Sequence, residues 1–126
     1  MKLIRKDQAI HVDKTNGTKV DYYLLNDAEI HYNKINPRTL QEWHRHHRIS
    51  ENIFILKGGL VYRYLDETNK EQSLKLKQGD LLSVDKDIHT FENQTDEVVE
   101  FIVFRYLPSY KNQSEMIKND KEIIEK

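Results

Sequence analysis

Turn-forming residues punctuate this chain at roughly every 8–12 residues, the rhythm of an all-β sandwich or barrel. They are Asn16-Gly17, Asn26-Asp27, Asn36-Pro37, Gly58-Gly59, Asp66 to Asn69, Gln78-Gly79-Asp80 and Asn93 to Asp96. Asn-Gly suits a tight hairpin because both residues tolerate positive φ. Between the turns lie short segments rich in β-branched and aromatic residues, which favour a pleated, half-buried surface. The segments are Lys19–Leu25, Ala28–Ile35, Leu40–His46, Ile53–Lys57, Leu60–Leu65, Gln72–Leu76, Leu81–Val84, His89–Asn93 and Val98–Tyr106. None of the gaps holds a helical pattern of the length a parallel crossover needs, which argues against a parallel α/β fold.

Several segments alternate with period two, as half-buried strands do. Leu60, Tyr62 and Tyr64 share one face, and Ile53 and Ile55 share another with Glu51. The tail reads differently. Pro108 ends the last strand, and Ser114 can cap a helix running towards Lys126. Met116, Ile117, Asp120, Ile123 and Ile124 fall on one side of that helix, an apolar stripe except for Asp120. The expected organisation is a β domain over residues 1–108 and a helical tail over 109–126.

The chain has 126 residues, enough for one core. Twenty basic and twenty-one acidic residues give a net charge of -1, which removes the electrostatic footprint of a general nucleic-acid binder. Cysteine is absent, so neither a disulfide framework nor a thiolate metal site can form. Met1 to Ile10 lacks the apolar stretch of a secretory signal, and no apolar run approaches the roughly 20 residues of a membrane span. A cytoplasmic protein with no membrane partner is expected.

Six histidines occur, three of them in Trp43-His44-Arg45-His46-His47-Arg48. On a strand, i and i+2 project to one face, so His44 and His46 point together and His47 away. Strand geometry alone leaves two readings: half of a metal site, or solvated imidazoles beside arginines. Glu51 follows where the next strand begins, and His89 opens a later one.

The stretch His44-x-His46-x4-Glu51-x6-Gly58 resembles the first signature motif of the cupin family, and Gly79-Asp80-x8-His89-x3-Asn93 resembles the second. The second departs from the family pattern in its loop, where Asp85 and Asp87 replace the usual Pro and Gly and one residue is missing. The resemblance implies an all-β double-stranded β-helix, the cupin jelly-roll barrel, followed here by the short C-terminal helix. It implies that His44, His46, Glu51 and His89 bind one divalent metal, that Gly58 and Gly79 are turn residues, and that Asn93 is structural. Such a donor set suits Fe, Mn, Ni, Co, Cu or Zn.

Three imidazoles and one carboxylate leave coordination positions open, as a catalytic metal requires. The expected function is therefore a small metal-dependent enzyme acting on a polar, oxygen-bearing small molecule, by dioxygenase, isomerase or lyase/decarboxylase chemistry. The alternative is a non-catalytic cupin that senses or binds a small molecule or carbohydrate. Tyr62, Tyr64 and Glu42 are the candidate catalytic residues, by strand parity with the neighbouring segments. Phe91 and one of Tyr22 or Tyr23 are expected to wall the site. A homodimer is expected, because Phe54 and Leu56 lie opposite Ile53 and Ile55 and leave an outer apolar face.

Overall fold

The computed structural model describes residues 1–84, 86–106 and 119–125. Among them, twelve strands are arranged in two antiparallel sheets. They are β1 (Ile10–Asp13), β2 (Thr18–Leu24), β3 (Ala28–Ile35), β4 (Thr39–Leu40), β5 (His44–His46), β6 (Ser50–Lys57), β7 (Gly59–Leu65), β8 (Glu71–Lys77), β9 (Leu81–Val84), β10 (His89–Asn93), β11 (Val99–Tyr106) and β12 (Lys121–Ile123). One sheet runs β1-β2-β3-β11-β6-β9, the other β12-β5-β10-β7-β8, with β4 added beside β10. This is the jelly-roll architecture the turn rhythm and motifs imply.

Alternation makes the core. β3, β6 and β11 bury every second residue along most of their length. Their inward side chains meet those of β7 and β10 in one cluster: Ile35, Ile53, Ile55, Leu60, Tyr62, Phe91, Val99, Phe101 and Val103. Gly58 turns the chain from β6 into β7 at φ 84°, a conformation L side chains rarely adopt. A Cβ there would also come within 3.0 Å of Val99 Cγ2. Asn93, fully buried, ties the barrel end together. Its Nδ2 donates to the carbonyls of Ile35, Asn36 and Glu97 at 2.7–3.1 Å, supporting the structural role expected of it.

Three expectations need correction. The segment Leu40–His46 is not one strand: residues 41–43 leave the ladder, and β4 and β5 pair with β10 separately. Strand β1 has no counterpart in the sequence reading, because its four residues are all exposed and carry no inward-outward contrast. The tail helix does not continue to Lys126. Residues 114–118 lie outside the described residues, Asn119 is helical, and Lys121–Ile123 is strand. The reason lies in β5. One edge of β5 meets β10, and the other would leave its backbone groups open without a partner strand. β12 pairs there, Lys121 opposite His46 and Ile123 opposite His44, and Ile124 N donates to Trp43 O at 2.8 Å. Asp120 adds a clamp: its carboxylate accepts from the backbone N–H groups of His47, Arg48 and Ile49 at 2.8–3.2 Å.

Candidate functional site

His44 and His46 leave β5 on its inner face, as their spacing predicts, and both are buried. His89 sits directly opposite His44 across the β5–β10 ladder and is fully buried. The candidate ligand atoms of the three histidines all lie within 4.8 Å of one another, a group that could hold a metal ion. Glu51, on β6 of the facing sheet, approaches from the other side. Its Oε2 is 3.3 Å from His46 Nε2, and its Oε1 is 3.9 Å from His89 Nε2. The two sheets thus bring all four sequence-predicted ligands together.

The hydrogen bonds around these rings are informative. His44 Nδ1 lies 3.0 Å from the Glu42 carbonyl, and His89 Nδ1 lies 3.0 Å from the Asp87 carbonyl. A carbonyl only accepts, so each ring must carry its proton on Nδ1, leaving a lone pair on Nε2. Metal-ligating histidines are oriented in this way, the N–H of the other ring nitrogen held by a carbonyl or carboxylate. His89 Nε2 and both nitrogens of His46 are buried with no hydrogen-bond partner among the described residues. Leaving such a group unsatisfied costs about 1–3 kcal/mol. Orphaned imidazole nitrogens converging on one point, with a carboxylate beside them, fit a divalent cation.

The electrostatics favour neutral rings and an ionised acid. Burial, reinforced by the neighbouring His89, pushes His44 down to about 2, and burial pushes His46 down to about 4. Burial alone would raise Glu51. Arg105 and the surrounding histidines outweigh it and hold the carboxyl at about 2. Arg105 Nε donates to Glu51 Oε2 at 2.6 Å, which leaves Oε1 turned towards His89.

A family model described as "Cupin domain" matches residues 31–105. The chain belongs to the cupin family. No curated protein matches this cupin's sequence. Among solved structures it is similar to Bacillus subtilis oxalate decarboxylase at pH 4.6 (TM-score 0.75, 14% identity), covering 94% of this chain and 31% of that one. It is similar to CapF bound to 3-isopropenyl-tropolone (TM-score 0.73, 14% identity), covering 94% and 34%. It is also similar to Drosophila melanogaster CENP-C bound to CAL1 (TM-score 0.72, 17% identity), covering 82% and 84%. The cupin therefore spans about a third of the decarboxylase and CapF chains and most of the CENP-C chain. At these identities the likeness is one of fold.

Beside the histidines the cupin barrel encloses a cavity of about 490 Å³ that His44 and Glu51 line. Phe91 and Tyr22 wall it, as expected of Phe91 and of one of the two tyrosines. The candidate catalytic residues do not line this cavity, although two of them border His89: the Tyr62 ring lies 5.3 Å from the imidazole and Tyr64 stands opposite it across the ladder. Tyr62 and Tyr64 line a separate, shallower hollow together with Asp87. The Tyr62 hydroxyl donates to Asp87 Oδ2 at 2.6 Å, so it braces the loop whose carbonyl holds His89. Glu42 is exposed and accepts from Asn16 Nδ2 at 3.0 Å and Lys121 Nζ at 3.3 Å. His47 is exposed and bonds Glu122.

The cavity contains polar groups that the sequence reading missed. Glu29 and His31 lie two apart on β3, both buried and both facing inward, with His31 Nε2 and Glu29 Oε1 2.8 Å apart. The Tyr22 ring meets His31 edge-on at 4.4 Å. Burial lowers His31, more than the Glu29 bond raises it, so the ring is neutral at pH 7. Arg105 stands opposite Glu29 on one side and Glu51 on the other, so one guanidinium sits in register between two buried carboxylates. Lys14, Lys121, Gln41 and Asn33 also line the cavity. Glu29-x-His31 repeats the i, i+2 signal of His44-x-His46 and was visible as such. The rest depended on which strands become neighbours.

Proposed function

We propose that this cupin is a small metal-dependent enzyme acting on a polar, oxygen-bearing small molecule in the cavity beside His44. The observation that carries this is the set of orphaned imidazole nitrogens on His46 and His89, gathered with His44 and Glu51, the two members of the cluster that line that cavity. His44 and His89 would offer Nε2, His46 a ring nitrogen, and Glu51 the Oε1 that Arg105 leaves free. A divalent ion held there supplies Lewis acidity, and a redox-active one adds electron transfer. The chain's own residues do the rest. The Glu29–His31 pair is the proton-handling group of the cavity, because His31 is neutral and shares a hydrogen bond with an acid. Arg105 fixes Glu51, and Val20, Phe91, Phe101 and Val103 form an apolar wall that keeps bulk water from the polar side. Tyr62, Tyr64 and Glu42 act at most by positioning.

Elemental analysis of protein purified without added metal is the test, followed by turnover assays on oxygen-bearing small molecules with and without chelator. One bound ion per chain, lost in His44→Ala, with chelator-sensitive turnover, supports the reading. Protein that stays metal-free and takes up none of Mn, Fe, Co, Ni, Cu or Zn in calorimetry would sink it. Stoichiometric metal without turnover of any such compound favours the binding or sensing alternative. We further propose a homodimer through the outer face of the first sheet, where Ile102 lies between Phe54 and Tyr32, and Phe54 lies beside the exposed Leu81. A monomer mass by light scattering at high protein concentration would exclude it.

A further inference from the structure

The cavity beside His44 collects three cationic side chains from distant parts of the chain: Lys14 after β1, Arg105 on β11 and Lys121 on β12. Two of them are engaged. Arg105 holds Glu51, and Lys121 Nζ donates to Glu42 at 3.3 Å. Lys14 is not: it is half-buried in the cavity wall, and its ammonium has no hydrogen bond or ion pair among the described residues. The two carboxylates that line the cavity are committed elsewhere, Glu51 to Arg105 and Glu29 to His31. Like charges drawn together and partly desolvated cost free energy unless something negative enters. The cost registers on Lys14, which burial, with Lys121 and Arg105 adding to it, lowers to about 8.

The remaining wall is apolar. Val20, Phe101 and Val103 are buried within it, and Val12 and Ile10 of edge strand β1 are exposed at its border. A ligand that satisfies both halves has one compact anionic head and an apolar body. We infer that the cavity binds a small organic carboxylate, its head on Lys14 and Lys121 beside the histidine cluster and its body on the wall of β1, β2 and β11. Lysines are point-charge donors that suit a freely rotating carboxylate. The inference deepens the proposed function by naming the substrate class, and it rests on that reading only for the role of the bound acid.

The test is calorimetry on the full-length protein, after chelator treatment, with hexanoate, the isosteric neutral hexanamide, and inorganic phosphate. Working without metal separates this inference from the metal reading: hexanoate binding survives even if no ion is ever found. Hexanoate should bind about tenfold or more tighter than hexanamide and than phosphate. Lys14→Met and Lys121→Met should each weaken hexanoate about tenfold while leaving hexanamide binding and metal stoichiometry unchanged, and Lys14→Arg should keep most of the affinity. Equal binding of hexanoate and hexanamide, or no heat from hexanoate, overturns the inference. So does a Lys14→Met protein, folded by circular dichroism, that binds hexanoate like the parent. Phosphate binding as tight as hexanoate overturns it too, since the apolar wall would then contribute nothing.

Discussion

Two histidine–carboxylate groups are buried in this barrel, and they are built in opposite ways. On β3, Glu29 and His31 answer each other across 2.8 Å. At the junction of β5, β10 and β6, His46 and His89 present nitrogens with no hydrogen-bond partner among the described residues, and Glu51 gives its short bond to Arg105 instead. Both groups bear the desolvation cost of burial. Only the first recovers it internally. The second is stable relative to a ligand that joins it, because binding free energy returns to the fold by linkage. The contrast teaches where to look for a cofactor: at the polar cluster that is incomplete by itself, rather than at the one that is merely buried.

The largest effects should come from breaking the incomplete cluster. His44→Ala, His46→Ala and His89→Ala should each lose bound metal, and Glu51→Ala should do so with some residual occupancy as water replaces one oxygen. Metal-to-protein ratios after gel filtration check this; full occupancy in any of the three histidine variants contradicts the assignment of that residue.

Acid should act next, and in the same place. The folded protein keeps His44 and His46 below their ordinary 6.5, whereas the unfolded chain takes up protons there first. Stability therefore falls as pH drops below about 6.5. Glu51, held below its ordinary 4.5, adds stability that is present above that pH and is lost as pH falls towards about 2. Metal must leave in the same direction, since protons compete for the imidazoles. Dialysis and melting curves between neutral pH and about 4 follow both, and a melting temperature flat over that range would contradict the burial of neutral rings.

The complete pair should behave otherwise. His31→Ala should keep full metal occupancy yet destabilise by about 1–3 kcal/mol, because Glu29 is left buried without its partner. Chemical denaturation measures the cost. Loss of metal from this variant would erase the distinction between the two groups. The smallest effect belongs to His47→Ala, which should retain metal and change stability by less than about 0.5 kcal/mol, since the side chain is exposed, its bond to Glu122 lies at the surface, and the Asp120 clamp takes only its backbone N–H.

What the sequence made legible follows the reach of each signal. Period two is a local rule, so it placed His44 and His46 inward, His47 outward, and Ile53 and Ile55 beside Glu51. The motif spacing then joined β5, β6 and β10, which no local rule connects. Parity could put Tyr62 and Tyr64 on an inner face but not say which end of the barrel they reach, and they line the other hollow. Lys14, Arg105 and Lys121 converge only because β1 and β12 are the edges of two different sheets and β11 lies central in one. The tail misled for a related reason. The spacing of Ile123 and Ile124 from Met116 and Ile117 fits a helix, but a short helix is weakly held by its own sequence. The open edge of β5 recruits Lys121–Ile123 as strand.

That recruitment ties the histidine strand to a segment far along the chain. β5 gains its second edge, and the N–H groups of residues 47–49 gain their carboxylate acceptor, only when Asp120 and β12 dock. The brace behind His44 and His46 is therefore a contact made across 73 residues of chain, and undocking of β12 would leave the histidine pair on an open sheet edge. Asp120→Ala should stay folded by circular dichroism yet take up metal more weakly than the parent, and equal uptake would refute this coupling.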